Sequence, residues 1–296
     1  MGGTRMIAVT FDVDDVNWVN GTDADEMTAA APAIMSALDD FPDVHSTWFV
    51  RLDAGIAMQR GRADALFHEY TAHFERLRDA GHEVAWHHHA VRPGTTNAPE
   101  TDSATICRTL RALAPMARAW KLESVRLGWG YADAAIIACL DDLGFAIDSS
   151  ALPRPSYPWD TVPRDWSGTP HAPYHPSRVD HRCEGAPSCT LLEVPISVAA
   201  LSAPHDTLPN VKRYVNPAYH ADFFQQAIAS VVESPLIVTV THPYECVPAN
   251  TSAAATTAGT HPQHPLISHS LDVLRRNLAH LHTLGRPFVT LNSLRG

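Results

Sequence analysis

Gly81-His82-Glu83-Val84-Ala85-Trp86-His87-His88-His89 is a short apolar run that ends in three consecutive histidines. Read as a strand, its side chains alternate between faces, so His87 and His89 point one way and His88 the other. Asp79-Ala80-Gly81 puts a glycine where a helix would stop and this strand begin. Two imidazoles two residues apart at a strand end can grip one metal ion if a carboxylate joins them. Val9-Thr10-Phe11-Asp12-Val13-Asp14-Asp15 offers one: a hydrophobic strand ends there in acids, with Asp12 and Asp14 on one face. The expectation is a mononuclear metal hydrolase with these two strand ends side by side.

Working outward, β-rich runs alternate with amphipathic stretches. Strands are expected at 6–13, 44–51, 82–87, 123–127, 145–148, 191–196, 235–241 and 287–291, and helices at 23–38, 63–80, 101–117, 132–143, 217–232 and 266–284. Such alternation implies α/β structure, a parallel sheet with helices outside, open or closed into a barrel. In that class ligands bind beyond the carboxyl ends of the strands. Asp12, Asp14 and Asp15 end the first strand, His87 and His89 the third, Arg126 the fourth and Asp148 the fifth; His242 follows Ile237-Val238-Thr239-Val240-Thr241. Two segments break the rhythm. Residues 149–190 are rich in proline and carry Tyr157, Trp159, Trp166 and Tyr174, which favours an ordered cover over an active site. Residues 248–264 include a small, polar run of low complexity and are expected to form a mobile loop.

The chain has 296 residues, 45% hydrophobic and 18% charged, enough for a large core in a single domain. A formal net charge of -10 argues against nucleic acid or anionic membrane as a partner and leaves a small or neutral substrate. A homo-oligomer remains open. No apolar stretch is long enough for a signal peptide or a membrane span, so the expected compartment is the cytoplasm. The five cysteines are odd in number and scattered. Cys183 and Cys189 could close a loop, but without an export signal the default is reduced thiols.

Each candidate has a plainer reading. The first acids could cap a helix, yet capping needs one acid, and three within four positions repel unless a metal or a shared proton relieves them. The histidines could be a chance tract, since the chain has 18. Arg126 could be a surface ion-pair partner and His242 a barrel-rim residue rather than a general acid. His68, His73, His171, His220, His261 and His280 read as surface or loop residues.

In order, these residues resemble the polysaccharide deacetylases of carbohydrate esterase family 4, over most of the chain from Thr10 to about Pro243. Thr10-Phe11-Asp12-Val13-Asp14 is similar to the family's first motif, with Asp12 as general base and Asp14 as metal ligand. Gly81 to His87 resembles its second, Arg126-Leu127-Gly128-Trp129-Gly130 its third, Asp160 to Asp165-Trp166 its fourth, and Thr241-His242-Pro243 its fifth. The chain departs in having Val13 between the acids, which keeps Asp15 as a rival ligand. Val at 91 stands where the common second histidine falls. Trp86-His87-His88-His89 instead matches a subset with Trp-His-x-His, which keeps His88 in play. The third motif lacks the usual paired prolines.

The resemblance implies a distorted (β/α) barrel of about seven parallel strands, TIM-barrel-like. It implies one divalent ion, commonly zinc (Co2+, Ni2+ or Mn2+ as others), held by Asp14, His87 and His89. Three protein ligands leave positions for water and a substrate carbonyl. Asp12 is then the base, Arg126 the cation that holds it ionised, His242 the acid and Asp165 the carboxylate that tunes it. Trp129, Tyr131, Trp166 and Tyr174 line the pocket. The implied reaction removes an N-acyl group, most often N-acetyl, from an amino-sugar-containing substrate. The rivals are a cyclic amide or imide hydrolase on this scaffold and a non-catalytic carbohydrate-binding barrel.

Overall fold

The computed structural model describes residues 4–14, 26–248 and 265–295. The strands are β1 (Met6–Val13), β2 (Ser46–Arg51), β3 (Glu83–His88), β4 (Ser124–Leu127), β5 (Ile147–Asp148), β6 (Leu192–Glu193), β7 (Val198–Ala200), β8 (Lys212–Tyr214) and β9 (Leu236–Thr241). The helices are α1 (Glu26–Ala29), α2 (Ala31–Leu38), α3 (Ala54–Arg60), α4 (Ala65–Glu69), α5 (Thr71–Asp79), α6 (Ser103–Ala119), α7 (Ala134–Asp142), α8 (Ala221–Val231) and α9 (Leu271–His282). Seven parallel strands form one sheet in the order β6-β5-β4-β3-β2-β1-β9, flanked by helices, which is the barrel-like (β/α) architecture expected. By internal contacts the chain divides into two units, Met1–Ser46 with Ser197–Val289 and Thr47–Ile196 with Thr290–Gly296.

In the first unit β1 reads MIAVTFDV and is buried from Ile7 onward. A strand apolar on both faces belongs inside a parallel sheet, where helices cover each side. It pairs with β9 from Met6↔Leu236 to Phe11↔Thr241, so Asp12 and His242 are the next residue on each strand. The antiparallel pair β7–β8, Val198↔Tyr214 to Ala200↔Lys212, was not expected. The strand expected at 287–291 is reduced to one parallel bridge, Ile7↔Phe288, followed by a 3-10 turn at Leu291–Leu294. The expected helix at 23–38 breaks into α1 and α2, whose first turn takes Pro32. Asp15, residues 23–25 and 249–264 of the expected mobile loop lie outside the described residues.

In the second unit β3 is buried throughout and lies between β2 (Thr47↔Glu83 to Arg51↔His87) and β4 (Trp86↔Val125 to His88↔Leu127). The helix expected at 63–80 becomes α4 and α5, meeting at Tyr70. Unexpected α3 starts where the Asp53 carboxylate accepts from Ile56 N–H, at 3.0 Å. Gly81 and Gly144 follow α5 and α7 with φ of 82° and 75°, the left-handed turn-off that glycine accepts without strain. All five cysteines are free thiols. Among the described residues no helix is long and apolar enough to cross a membrane.

Candidate metal and acid–base site

The carboxyl ends of the strands carry the titratable side chains, as a parallel α/β fold predicts. In the first unit β1 delivers Asp12, buried, with Asp14 just past its end, and β9 delivers His242. His242 Nε2 stands 3.6 Å from an Asp14 oxygen and its Nδ1 3.5 Å from Glu245 Oε2. Glu245 also accepts from the His242 backbone N–H and the Asn216 amide, at 2.9 and 2.8 Å. Burial alone would depress the His242 pKa, but the charges of Glu245, Asp14 and Asp12 outweigh it and lift it to about 10. Glu245 responds in the opposite sense: burial would raise its pKa, and the His242 cation brings it below its usual range. Fully buried Glu26 accepts from Asp14 N–H at 2.6 Å and Tyr244 N–H at 3.3 Å, tying the end of β1 to the segment after β9. Burial, and then the Asp14 charge, push its pKa well up.

In the second unit the alternation read from the sequence holds. His87 and His89 bring their Nε2 atoms to 3.0 Å, with ring centroids 4.7 Å apart. His87 Nδ1 lies 3.0 Å from the Arg126 carbonyl, which accepts from it, so that Nε2 presents its lone pair. His88 is fully buried, packs against Trp86, and is pushed down to about 4 by burial, so it stays neutral. The backbone N–H of His89 points at Asp53 Oδ2, 3.4 Å away. Asp53 is itself gripped by Arg51 through two bonds of 2.7 and 3.0 Å. Burial works against the Asp53 charge, but Arg51 leaves its pKa lowered.

The third-motif turn lies directly against His89. A Cβ at Gly128 would overlap His89 Cδ2, so only glycine fits there. Trp129 follows with φ of 57°, a left-handed conformation that costs a bulky residue roughly 1–2 kcal/mol, and its ring sits 4.5 Å from that of His89. Arg126 is buried, donates to the Ser149 carbonyl and hydroxyl at 2.8 and 2.9 Å, and lies 4.1 Å over the Phe49 ring. It is no surface ion-pair residue.

Two imidazoles with facing Nε2 atoms, one tautomer fixed by a carbonyl, suit a borderline divalent ion such as zinc when a carboxylate joins them.

The remaining expected residues lie elsewhere. The Asp165 side chain is 53% exposed, accepts from Ser167 N–H and pairs with Arg182. The carboxylate on the His242 imidazole is Glu245, because the turn after β9 returns it there. Trp166, 1% exposed, spends its indole N–H on the Gly130 carbonyl; Tyr174, 2% exposed, donates to the His181 carbonyl. Both support the loop from inside and have no face left to line a pocket. Tyr131 donates to the Thr101 carbonyl, and Trp129 alone of the four borders a histidine of the set. Asp148 and Glu193 stand in register on β5 and β6, both fully buried. Burial raises both pKa values, and the Asp148 charge pushes that of Glu193 further up. Sequence reasoning passed over Glu26, Glu245, Glu193 and Asp53. Of these only Glu245 left a signal, a carboxylate three residues after His242 in the spacing of a capping box.

No family model and no curated protein matches the chain. Among solved structures it is similar to a protein from Mycobacterium smegmatis described as a polysaccharide deacetylase. The TM-score is 0.56 at 18% identity, over 99% of this chain and 89% of that one. It is also similar to a 4-α-glucanotransferase from Thermococcus litoralis, with a TM-score of 0.52 at 10% identity, over 98% of this chain and 40% of that one. At these identities the likeness is one of fold.

Proposed function

We propose that this chain is a metal-dependent deacetylase of the polysaccharide deacetylase family, a single catalytic domain that removes an N-acetyl group from an amino-sugar-containing glycan. The observation that carries the reading is the facing pair of His87 and His89, their Nε2 atoms 3.0 Å apart, with Asp14 as the carboxylate expected to join them. A divalent ion held there, zinc by preference, would supply Lewis-acid activation of water and of the amide carbonyl. The chain's own groups do the rest. Asp12 accepts the proton of the attacking water, with Arg126 as its cationic partner. His242, held protonated by Glu245, gives its Nε2 proton to the leaving amine nitrogen. Gly128 and Trp129 keep the His89 ring in place. The M. smegmatis structure shares the fold, and the five motifs fall in the family's order.

The test is metal content of purified protein beside Asp14→Ala and His89→Ala, with acetate release from N-acetylated sugars followed on the same samples. The expected result is about one ion per wild-type chain, lost in both variants together with acetate release. Metal retained in His89→Ala would overturn the ligand set. Turnover of cyclic imides without acetate release would move the activity to the imide hydrolases.

A further inference from the structure

We propose that Trp159, stacked on Tyr157, is a sugar-binding platform that holds the flat face of a second pyranose ring along the glycan, a subsite resting on the glycan reading above. Trp159 is 52% exposed, although tryptophan ordinarily contributes most by burial. The ring is nonetheless fixed. It lies 4.8 Å from the Tyr157 ring at an interplanar angle of 16°, and the Arg154 guanidinium sits 4.8 Å from the centre of the same tyrosine. Beneath them the Asp160 side chain, 1% exposed, is bound by Arg154 at 2.8 and 2.7 Å, Arg164 at 2.9 Å and Tyr157 N–H at 2.8 Å.

A buried carboxylate between two guanidiniums is an expensive support, and the ring it carries is the most exposed aromatic of the 149–190 segment named in the sequence. A ring held in place before binding gives up little freedom when a ligand lands on it. The same support reaches the histidines: Arg164 donates to the Trp129 carbonyl at 2.6 Å, and the Trp129 ring lies 4.5 Å from that of His89. The platform and the metal-ligand strand therefore share one truss. An indole face is electron-rich, flat and apolar. It matches the C–H face of a pyranose, whose hydroxyls point outward to water. A nucleobase would also stack, but a chain of net charge -10 repels the phosphates that come with it.

The experiment uses full-length protein labelled with 5-fluorotryptophan. The Trp159 resonance is assigned from Trp159→Phe, and N-acetylglucosamine and the β-1,4-linked tetramers of N-acetylglucosamine, glucose and xylose are titrated in. The expected result is that a tetramer shifts the Trp159 resonance and binds Trp159→Ala about fivefold to tenfold more weakly than wild type. Trp159→Phe keeps a flat ring and retains most of the affinity, and the monosaccharide binds all three proteins alike. Equal tetramer affinity in wild type and Trp159→Ala, or a Trp159 resonance silent to all three tetramers, would overturn the platform. A resonance that moves with protein concentration alone would overturn it too, giving that face to a second copy of the chain. Acetate release with a silent Trp159 leaves the deacetylase standing without its subsite; a responding Trp159 without acetate release leaves the subsite and removes the deacetylase.

Discussion

Each unit buries a group of carboxyls, and the two groups are kept from repelling by different means. In the first, Asp12, Asp14 and Glu245 gather around His242, whose imidazole is lifted to about 10 and answers their charge as a cation. In the second, Asp148 and Glu193 stand in register with no imidazole between them, and burial with the Asp148 charge pushes the Glu193 pKa well up, which favours its protonated form. The first arrangement places a cation among its acids; the second leaves burial to push a carboxyl toward its neutral form. A buried carboxylate marks a site when its compensating charge is exchangeable, and marks structure when the compensation is a trapped proton.

Their responses to pH separate the groups. A raised His242 contributes stability that is complete below its ordinary pKa near 6.5 and is lost as pH climbs through about 10. Glu245, lowered, contributes stability present above its ordinary value of 4.5 and lost as pH falls. Glu193, raised, loses its contribution as pH rises from about 4.5. The largest effect is expected for Glu245→Gln, which removes one partner of a largely buried pair. We expect roughly 3 kcal/mol of destabilisation at neutral pH in urea titrations and a drop in the His242 pKa by NMR. An unchanged His242 titration would break the comparison at its first term.

Adding Zn2+ to metal-free protein sharpens it next. The ion engages the Asp14 charge, so the His242 pKa falls, while the carboxyl C=O band of the Asp148–Glu193 pair stays where it was. Glu193→Gln replaces the carboxyl whose pKa burial raises with a neutral amide. Unfolding at neutral pH is expected to change by no more than about 1 kcal/mol, with a flatter fall in stability above about pH 4.5. A loss as large as that of Glu245→Gln would erase the distinction. Smallest is Asp165→Asn, whose carboxylate lies at the surface. Stability should move by less than about 0.5 kcal/mol and the His242 titration not at all.

The sheet was legible in the sequence wherever a strand is buried on both faces. Met6–Val13 and Leu236–Thr241 read as apolar or β-branched runs, and their carboxyl ends carry the expected Asp12, Asp14 and His242. The unexpected elements are those too short to show a period, such as the three-residue strands Val198–Ala200 and Lys212–Tyr214 and the seven-residue Ala54–Arg60. The alternation that pairs His87 with His89 could be read from one strand alone. The partners of the buried carboxyls could not, because Glu193 meets Asp148 across 45 residues and Glu26 meets Asp14 through a fold. Asp165 misled for the same reason: its motif position carries no information about which carboxylate a turn brings back to His242.

Gly128 has a consequence for anyone who would redesign this centre. Its bare α-carbon sits against the His89 ring, so main chain rather than a rotamer well fixes where that nitrogen points. Exchanging His89 for a longer or shorter ligand would leave the new donor facing a wall cut for imidazole. On the proposed reading, a change of metal preference begins with the backbone path of 128–130, and only then with the ligands.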